Sequence, residues 1–371
     1  MGTRNNSFLD TPKPRKEIEA LNPYSAPLEG RRDFLRLDFN ENTIGPSPLV
    51  TKALREISRE GISIYPEYSG LKDKLVKNLK NQQRSVSIKS SEIEIFNGVD
   101  AAINAIFHAY GENGEIMLTT SPTFGYYAPC AHMRGMQITS IPYEGIHFQY
   151  PFKKICELIS QTRPKILLIC NPNNPTGTRL NPERIIEISK LSSKTLVVVD
   201  ELYEAFTGDS VLPLVNFQEV PNLVVLRSLS KTAGLAGLRI GFTIGNSKVI
   251  NIINRVTGPY DVNSFAVTAA FAALQDQSYI DSYVKEVLEA RDWLKTKLDK
   301  HKIKHHMNGG NYFLLWPKLG PTETEQQLKA SGILIRNMDK KTNLKGSLRV
   351  SIGTVEQMKR FWSVFKLIEK I

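Results

Sequence analysis

Groups of chemically capable side chains follow the short apolar runs in the middle of this 371-residue chain. Lys231 supplies an amine, Asp200 a carboxylate and Arg239 a guanidinium, each at or just after such a run. The carboxyl ends of parallel strands line the ligand crevice of an open sheet. The sequence therefore predicts that these groups meet, and their order along the chain indicates the site of a single bound cofactor.

Taken one at a time, these residues have simpler explanations. The segment NPNNPTG (171–177) consists of residues that favour turns. Asp200 is also compatible with a helix cap, and Lys231 is one of many lysines. Only the combination is specific, because one cofactor accounts for all of the groups.

The apolar runs that carry these groups alternate with helical patterns. Within 100–110, apolar residues recur at helical spacing, and Asp100 is predicted to cap that helix. Another helix is predicted over 182–192. Near-continuous β-branched runs between helices predict an α/β fold with a mainly parallel sheet covered on both faces. The predicted strands of this sheet cover 92–96, 115–120, 165–170, 195–200, 222–228 and 239–246.

The pattern changes near residue 260. Helices at 267–275 and 282–300 are followed by a second group of strand candidates at 311–317, 333–337 and 347–353. We therefore predict three parts: an N-terminal arm (1–44) that joins the small domain, a large domain (45–259) and a small C-terminal domain (260–371).

Composition argues against several classes of protein. The net charge is +11, from 48 basic and 37 acidic residues, but the excess is spread along the chain and is not interleaved with aromatics, so we expect no nucleic-acid partner. No apolar run approaches the ~20 residues that a membrane span requires. The first ten residues lack the apolar core of a signal peptide, so we expect no membrane association.

The cysteines and histidines indicate neither disulfides nor a metal. The three cysteines form no C-x-x-C pair, which fits a reducing cytoplasm. His301, His305 and His306 lie among lysines, with no cysteine or carboxylate at ligand spacing, and are interpreted as a solvated basic turn. We expect no metal site.

Three segments carry a resemblance to a known family: NPNNPTG (171–177), DELY (200–203) and SLSKTAGLAGLRIG (228–241). They resemble the fold-type I enzymes that use pyridoxal phosphate (PLP), specifically the class I/II aminotransferases. The resemblance extends from about residue 22 to 365. It implies the PLP-dependent transferase fold, with a mainly parallel seven-stranded sheet, helices on both faces and a smaller α+β domain.

The resemblance implies roles around the cofactor ring. Lys231 would form an imine with the PLP aldehyde and then carry a proton during transamination, which requires a lowered pKa. Asp200 would pair with the ring nitrogen and keep it protonated. Tyr203 and Asn174 would donate hydrogen bonds to the phenolic oxygen, and Phe124 would stack on the ring.

The resemblance also implies how the cofactor phosphate is held. The backbone N–H groups of Val99 and Asp100, the hydroxyl of Ser228 and the guanidinium of Arg239 would bind it. Tyr65 would reach the phosphate of the other subunit, which implies a homodimer with shared active sites. The alternative for Tyr65 is a half-buried core aromatic.

Four residues are expected near the amino donor. Arg349 would bind a substrate carboxylate, and Arg336 resembles the second arginine of histidinol-phosphate aminotransferases, where the pair faces a substrate phosphate. Tyr24 and Asn42 would lie close by. The alternatives are a structural role for Arg349 and a surface salt bridge for Arg336. One departure is Ala101, where that subfamily often carries Glu.

The resemblance implies a cytoplasmic enzyme that converts histidinol phosphate and 2-oxoglutarate to imidazole-acetol phosphate and glutamate, a step of histidine biosynthesis. Three alternatives remain open. One is an aromatic or broad-specificity aminotransferase, and another is a threonine-phosphate decarboxylase. The third is a non-catalytic ligand-sensing module, which is disfavoured because residues 1–36 are too short and proline-rich for a helix-turn-helix.

Overall fold

The computed structural model describes residues 12–23 and 29–371, so Tyr24 lies outside the described residues. A seven-stranded sheet in the order β2-β8-β7-β6-β5-β3-β4 forms the centre of the larger part. All of its strands run parallel except β8, which is antiparallel to both of its neighbours. Its strands are β2 (Ile93–Phe96), β3 (Ile116–Ser121), β4 (Gln137–Pro142), β5 (Ile166–Cys170), β6 (Leu196–Asp200), β7 (Leu223–Ser228) and β8 (Gly241–Gly245).

The central strands are apolar throughout because both faces of the sheet are covered. Every residue of β5 and β6 is buried. Along β6, Val197 and Val199 pack into one hydrophobic cluster, whereas Leu196 and Val198 pack into another on the opposite face. This alternation follows from the two-residue period of a strand. The predicted α/β class, with helices on both faces of a mainly parallel sheet, is confirmed.

Helices cover both faces of this sheet. Those that contribute to the first cluster include α2, α4 and α10, and those that contribute to the second include α5 and α6. The helices of this part are α2 (Pro48–Arg55), α3 (Arg59–Ser63), α4 (Ser69–Gln82), α5 (Gly98–Tyr110), α6 (Tyr127–Met133), α7 (Phe152–Thr162), α8 (Pro182–Lys190), α9 (Ser247–Asn254) and α10 (Ser264–Gln275).

Two local predictions differ from the structure. Strand β4 was not predicted, because it lies at the edge of the sheet, where all of its residues are exposed or half-buried and no continuous apolar run is required. The predicted cap at Asp100 is wrong. Helix α5 begins at Gly98 with Asn97 as its N-cap residue, so Asp100 lies inside the first turn.

A second hydrophobic unit is built from the C-terminal third and part of the N-terminal segment. It contains a four-stranded antiparallel sheet, β12-β13-β10-β9, and a parallel pair of β1 with β11. Through that pair the N-terminal segment joins the C-terminal unit. Its elements are β1 (Leu35–Arg36), α11 (Gln277–Lys300), β9 (His305–His306), β10 (Tyr312–Leu315), α12 (Pro321–Ala330), β11 (Ile333–Leu334), β12 (Arg336–Asn337), β13 (Leu348–Ser351) and α13 (Val355–Glu369).

The boundary near residue 260 stays a prediction. Helix α10, just after it, contributes Ala266, Ala269 and Ala270 to the cluster beneath the large sheet, whereas α11 contributes Val287 and Leu294 to the C-terminal unit. A short helix α1 (Lys16–Glu19) precedes all of these elements and contacts α6. Among residues 12–23 and 29–371, no helix combines the length and apolar character needed to cross a bilayer.

Candidate active site

Most of the predicted site residues line one cavity at the carboxyl edge of the large sheet. Lys231, Asp200 and Arg239, on which the sequence argument depends, all face it. Asp200 ends β6, and Lys231 lies three residues after β7. The other predicted residues that line the cavity are Val99, Asp100, Phe124, Asn174, Tyr203 and Ser228.

The carboxylate of Asp200 is buried beside the cavity. Its Oδ2 accepts a hydrogen bond from the Tyr127 hydroxyl at 2.7 Å, and its Oδ1 accepts from the backbone N–H of Leu202 at 3.1 Å. Burial raises the pKa of Asp200 to about 6, although both of these hydrogen bonds oppose the shift. A buried carboxylate of this kind is stabilised by a cationic partner.

The amine of Lys231 is held by backbone. Its Nζ donates to the Phe39 carbonyl at 3.0 Å. Burial, assisted by the positive charge of Arg349, lowers the pKa of Lys231 to about 8. A larger fraction of this amine than of an ordinary lysine is therefore neutral and nucleophilic near neutral pH, which favours the chemistry predicted for it.

A chain of hydrogen bonds links Tyr203 and Asn174, which line the cavity, to Arg349. Arg349 Nη1 donates to Asn174 Oδ1 at 2.7 Å, and Asn174 Nδ2 donates to the Tyr203 hydroxyl oxygen at 3.4 Å. Arg349 Nη2 donates to the Asp38 carbonyl at 2.6 Å. Both partners of Arg349 are neutral oxygens, so these contacts leave its positive charge available to an anion.

Arg336 lies next to Arg349 across the small sheet. The two arginines are paired in register between β12 and β13, and burial lowers the pKa of Arg349, with the charge of Arg336 adding to the shift. The Nε of Arg349 is buried and has no hydrogen-bond partner among the described residues. The Arg336 guanidinium lies over the Phe39 ring, 5.5 Å from its centroid. Two neighbouring cations of this kind suit a doubly charged anion.

The end of the cavity near α5 is suited to an anion. Gly98 has φ +80 and packs so closely on Arg239 that a Cβ would meet the guanidinium. A Cβ at Gly241 would lie 2.6 Å from the backbone nitrogen of Val99. Arg239 Nη2 donates to Asp100 Oδ2 at 2.7 Å and Nη1 donates to the Ala236 carbonyl at 3.3 Å, so these two contacts use only part of its five N–H donors. The glycines therefore allow Arg239 to approach the first turn of α5.

Ser228 and Phe124 complete the described lining. The Ser228 hydroxyl lies 2.8 Å from Ser230 Oγ and 3.0 Å from the Ile240 carbonyl oxygen, and it can donate its single proton to either. The Phe124 ring packs edge-on against Tyr127, with centroids 5.4 Å apart. The ring of Phe124 is thereby held in place at the cavity wall.

Within NPNNPTG, only Asn174 faces the cavity, and the other asparagines hold the loop. Asn171 Nδ2 donates to the Leu180 carbonyl at 3.0 Å, and Asn173 Nδ2 donates to the Pro122 carbonyl at 2.9 Å. Glu201, next to Asp200, is likewise turned away and binds the buried Arg227 at 2.9 Å. Asn171 and Asn173 therefore hold the loop, and the functional interpretation of this segment stays a prediction that concerns Asn174.

Among the described residues, four other predicted ones are not part of the cavity lining: Arg336 on β12, Arg349 on β13, Asn42 and Tyr65. Asn42 is buried, with Nδ2 donating to the Thr232 carbonyl at 3.0 Å and Oδ1 accepting from the Ile44 and Gly45 N–H groups. Tyr65 is 69% exposed and stacks on Tyr260 with centroids 3.8 Å apart, so the core interpretation of Tyr65 is wrong.

Two residues beside the cavity were not identified from the sequence. Tyr127 binds the Asp200 carboxylate, and Asn40 Nδ2 donates to the Tyr203 hydroxyl at 3.1 Å. Tyr127 follows Phe124 by three residues, but Tyr126 is an equally good candidate from the sequence. Asn40 lies far from the other groups along the chain and reaches them only through the packing of the N-terminal segment.

Comparison with known proteins gives consistent results. The family model described as aminotransferase class I and II matches residues 32–365. A protein from Legionella pneumophila (strain Lens) named histidinol-phosphate aminotransferase 2 is 32% identical over 359 residues, covering 95% of this chain and 94% of that protein. The solved structure of histidinol-phosphate aminotransferase from Sinorhizobium meliloti, in complex with pyridoxal-5'-phosphate, has a TM-score of 0.82 at 21% identity, covering 98% of this chain and 100% of that one.

A double mutant of the aspartate aminotransferase from Thermus thermophilus has the same fold. Its TM-score is 0.78 at 20% identity, with 95% of this chain and 100% of that chain covered. The predicted fold is therefore confirmed, and it is shared by proteins named for different amino donors.

Proposed function

The chain belongs to the class I and II aminotransferases, and from that premise we propose that it transfers the amino group of histidinol phosphate to 2-oxoglutarate. The products are imidazole-acetol phosphate and glutamate, in a step of histidine biosynthesis. The observation that carries the proposal is the pair of neighbouring arginines, Arg336 and Arg349, because Arg349 donates a hydrogen bond to Asn174 in the wall of the cavity that holds the amine and the buried carboxylate. The name of the Legionella pneumophila relative supports the same donor.

Enzymes of this family use pyridoxal phosphate, and the donor set of the cavity fits that cofactor. The cofactor has an aldehyde, a basic ring nitrogen, a phenolic oxygen and a phosphate. The cavity offers an amine with a lowered pKa, a buried carboxylate and a tyrosine hydroxyl, and its far end has a helix N-terminus beside a guanidinium. Each group of the cofactor therefore has a chemically matched partner.

The ring end of the cofactor is held by five side chains. Lys231 binds the aldehyde covalently, and Asp200 pairs with the ring nitrogen. Tyr203 and Asn174 bind the phenolic oxygen, and Phe124 stacks on the ring. These assignments are supported by their common position on the cavity wall. A protonated ring nitrogen beside Asp200 would offset the desolvation that otherwise raises the pKa of this carboxylate.

The phosphate end is held by backbone and cationic donors. Val99 and Asp100 contribute N–H groups from the first turn of α5, Ser228 contributes a hydroxyl and Arg239 contributes the remaining donors of its fork. The close packing of Gly98 and Gly241 around this turn supports the assignment. The helix N-terminus adds a favourable dipole for the anion.

Proton transfer is the task of Lys231. When bound, pyridoxal phosphate supplies an electron sink for the negative charge that develops at the donor Cα. Once the amino group of the donor has displaced Lys231 from the cofactor aldehyde, the freed Nζ would remove the proton from Cα, which requires the neutral amine that burial favours at this position. The Phe39 carbonyl, which accepts a hydrogen bond from Lys231 Nζ in the cofactor-free protein, would orient the amine once the donor has freed it.

Recognition of the donor rests on the arginine pair. Arg349 and Arg336 bind the phosphate of histidinol phosphate, and Arg349 binds the carboxylate of 2-oxoglutarate in the second half of the reaction. Tyr24, which lies outside the described residues, and Asn42 are proposed to assist binding of the donor. Because Asn42 uses its side chain to hold the 42–45 turn, its contribution is to shape the N-terminal segment.

We further propose a homodimer in which Tyr65 reaches the cofactor phosphate of the partner subunit. The exposure of Tyr65 supports this proposal, as does the exposure of the neighbouring Ile62 and Ile64, each 58% exposed. Apolar side chains clustered at a surface are typical of a subunit interface. Sedimentation of the purified protein tests the dimer, and a monomer at micromolar concentration would contradict it.

A cytoplasmic location is also proposed. It is supported by the three cysteines, all of which are free thiols. Reduced cysteines are typical of the cytoplasm.

The proposed reaction is tested by a panel of half-reactions. Purified protein with bound cofactor is mixed with histidinol phosphate, phenylalanine, tyrosine, aspartate or phosphothreonine, without an acceptor. Loss of the visible absorption band reports amino transfer to the cofactor. We expect the fastest loss with histidinol phosphate. A faster response to an aromatic amino acid, or release of carbon dioxide from phosphothreonine, would contradict the proposed donor.

A further inference from the structure

The hydroxyl of Tyr203 receives two hydrogen bonds from side-chain amides. Asn40 Nδ2 donates to it at 3.1 Å and Asn174 Nδ2 at 3.4 Å. A tyrosine oxygen has two lone pairs, so both of its acceptor positions are used. Across the described ranges 12–23 and 29–371, the Tyr203 proton has no acceptor. This arrangement leaves the hydroxyl with one remaining ability, which is to donate.

Neighbouring groups fix the orientation of both amides. Arg349 can only donate, so Asn174 must present Oδ1 to Arg349 and Nδ2 to Tyr203. At Asn40, Ser351 has the same effect. Its Oγ accepts from the Asn40 backbone N–H at 2.9 Å and donates to Asn40 Oδ1 at 2.9 Å. If the Asn40 amide were reversed, the Ser351 hydroxyl would lose its acceptor.

The backbone around Asn40 is also fixed. Asn40 has φ +56, is 1% exposed, and accepts a hydrogen bond at its carbonyl from Asn311 Nδ2 at 3.2 Å. Among residues with a side chain, asparagine is one of the few that enter this left-handed region readily. Glycine enters it at no steric cost, so Asn40→Gly removes the amide and keeps the backbone conformation.

We propose that Asn40, oriented by Ser351, is a positioning residue that fixes the Tyr203 hydroxyl as a hydrogen-bond donor to the phenolic oxygen of the cofactor. The inference rests on the proposed role of Tyr203. A donor at the phenolic oxygen stabilises negative charge there. Such a donor would therefore lower the pKa of the bound chromophore. Loss of the donor raises the pKa of the bound chromophore.

The test is a pH titration of the visible absorption band of the protein with bound cofactor. The variants are Asn40→Gly, Tyr203→Phe and the double variant, with Ser351→Ala as a second way to release the amide. Asn40→Gly should raise the chromophore pKa by about 0.7 unit, the equivalent of one ordinary hydrogen bond. Because the effect acts through the hydroxyl, Asn40→Gly should add nothing in the Tyr203→Phe background.

The control is Asn78→Ala, which removes a buried amide outside the site, where Asn78 Nδ2 donates to Gln277 Oε1 at 2.9 Å. This variant should titrate like the wild type. If Tyr203→Phe shifts the chromophore pKa but Asn40→Gly and Ser351→Ala do not, the positioning role is wrong and the proposed function stands. Full additivity in the double variant would also overturn the positioning role. A wild-type protein that shows no visible band after reconstitution contradicts the proposed function and this inference together.

Discussion

Replacement of Arg336 by alanine should slow amino transfer from histidinol phosphate far more than transfer from phenylalanine. Arg336 stands opposite Arg349 in the register of β12 and β13, so both guanidiniums can bind one phosphate. A hydrogen bond to a charged group contributes about 1.5–3 kcal/mol. Since each 1.36 kcal/mol corresponds to a factor of ten, kcat/KM for histidinol phosphate should fall by about 10- to 150-fold. Phenylalanine carries only a carboxylate, which Arg349 binds alone.

The assay compares kcat/KM for both donors in the wild type, Arg336→Ala and Arg336→Lys. The lysine variant keeps the charge but loses the planar fork, so it should recover part of the loss. Arg360→Ala serves as the matched control, because Arg360 is an exposed arginine on α13. It should leave both donors unaffected. An equal loss for histidinol phosphate and phenylalanine in Arg336→Ala would refute the assignment of the arginine pair to a phosphate.

Three further outcomes are expected. The pKa of Asp200 in the folded protein, about 6, lies above its ordinary value of 3.8. The neutral form of Asp200 therefore stabilises the cofactor-free protein below pH 3.8, and this contribution is lost as the pH rises through 6. Urea unfolding of cofactor-free Asp200→Asn should therefore show a gain of up to roughly 3 kcal/mol over the wild type at pH 7 and little gain at pH 4; the reverse order would contradict the burial argument. Arg227→Met leaves the buried carboxylate of Glu201 without its charged partner, so the free energy of unfolding should fall by about 3–5 kcal/mol. An unchanged denaturant midpoint would show that the pair is not structurally important. Tyr65→Phe should weaken cofactor binding by about fivefold in equilibrium dialysis, the effect of one hydrogen bond, without dissociating the dimer; unchanged binding would remove Tyr65 from the phosphate site.

The fold and the cavity wall were predictable because strand ends carry the chemistry in an open parallel sheet. Continuous apolar runs identified β5, β6 and β7, and the polar residues directly after them line one cavity. Strand β4 escaped prediction because an edge strand needs no continuous apolar run. The antiparallel direction of β8 was not predicted either, since direction depends on the path of the connecting chain.

The contribution of the N-terminal segment could not be predicted from local patterns. Asn40 reaches Tyr203, and the carbonyls of Asp38 and Phe39 hold Arg349 and Lys231, only because β1 pairs with β11. Contacts of this kind join residues that are far apart in sequence. The contacts to Arg349 and Lys231 use backbone carbonyls, which every residue type has, so the sequence does not reveal them.

The most direct test of the account is to locate the covalent link between protein and cofactor. Reduction of the purified, PLP-loaded protein with borohydride, followed by proteolysis and mass spectrometry of the peptides, identifies the lysine that carries the cofactor. We expect the reduced cofactor on Lys231 alone and no labelled peptide in Lys231→Ala. A label on a different lysine, or cofactor that is released entirely from the reduced wild-type protein, would contradict the claim that the amine at 231, the carboxylate at 200 and the guanidinium at 239 enclose one cofactor site.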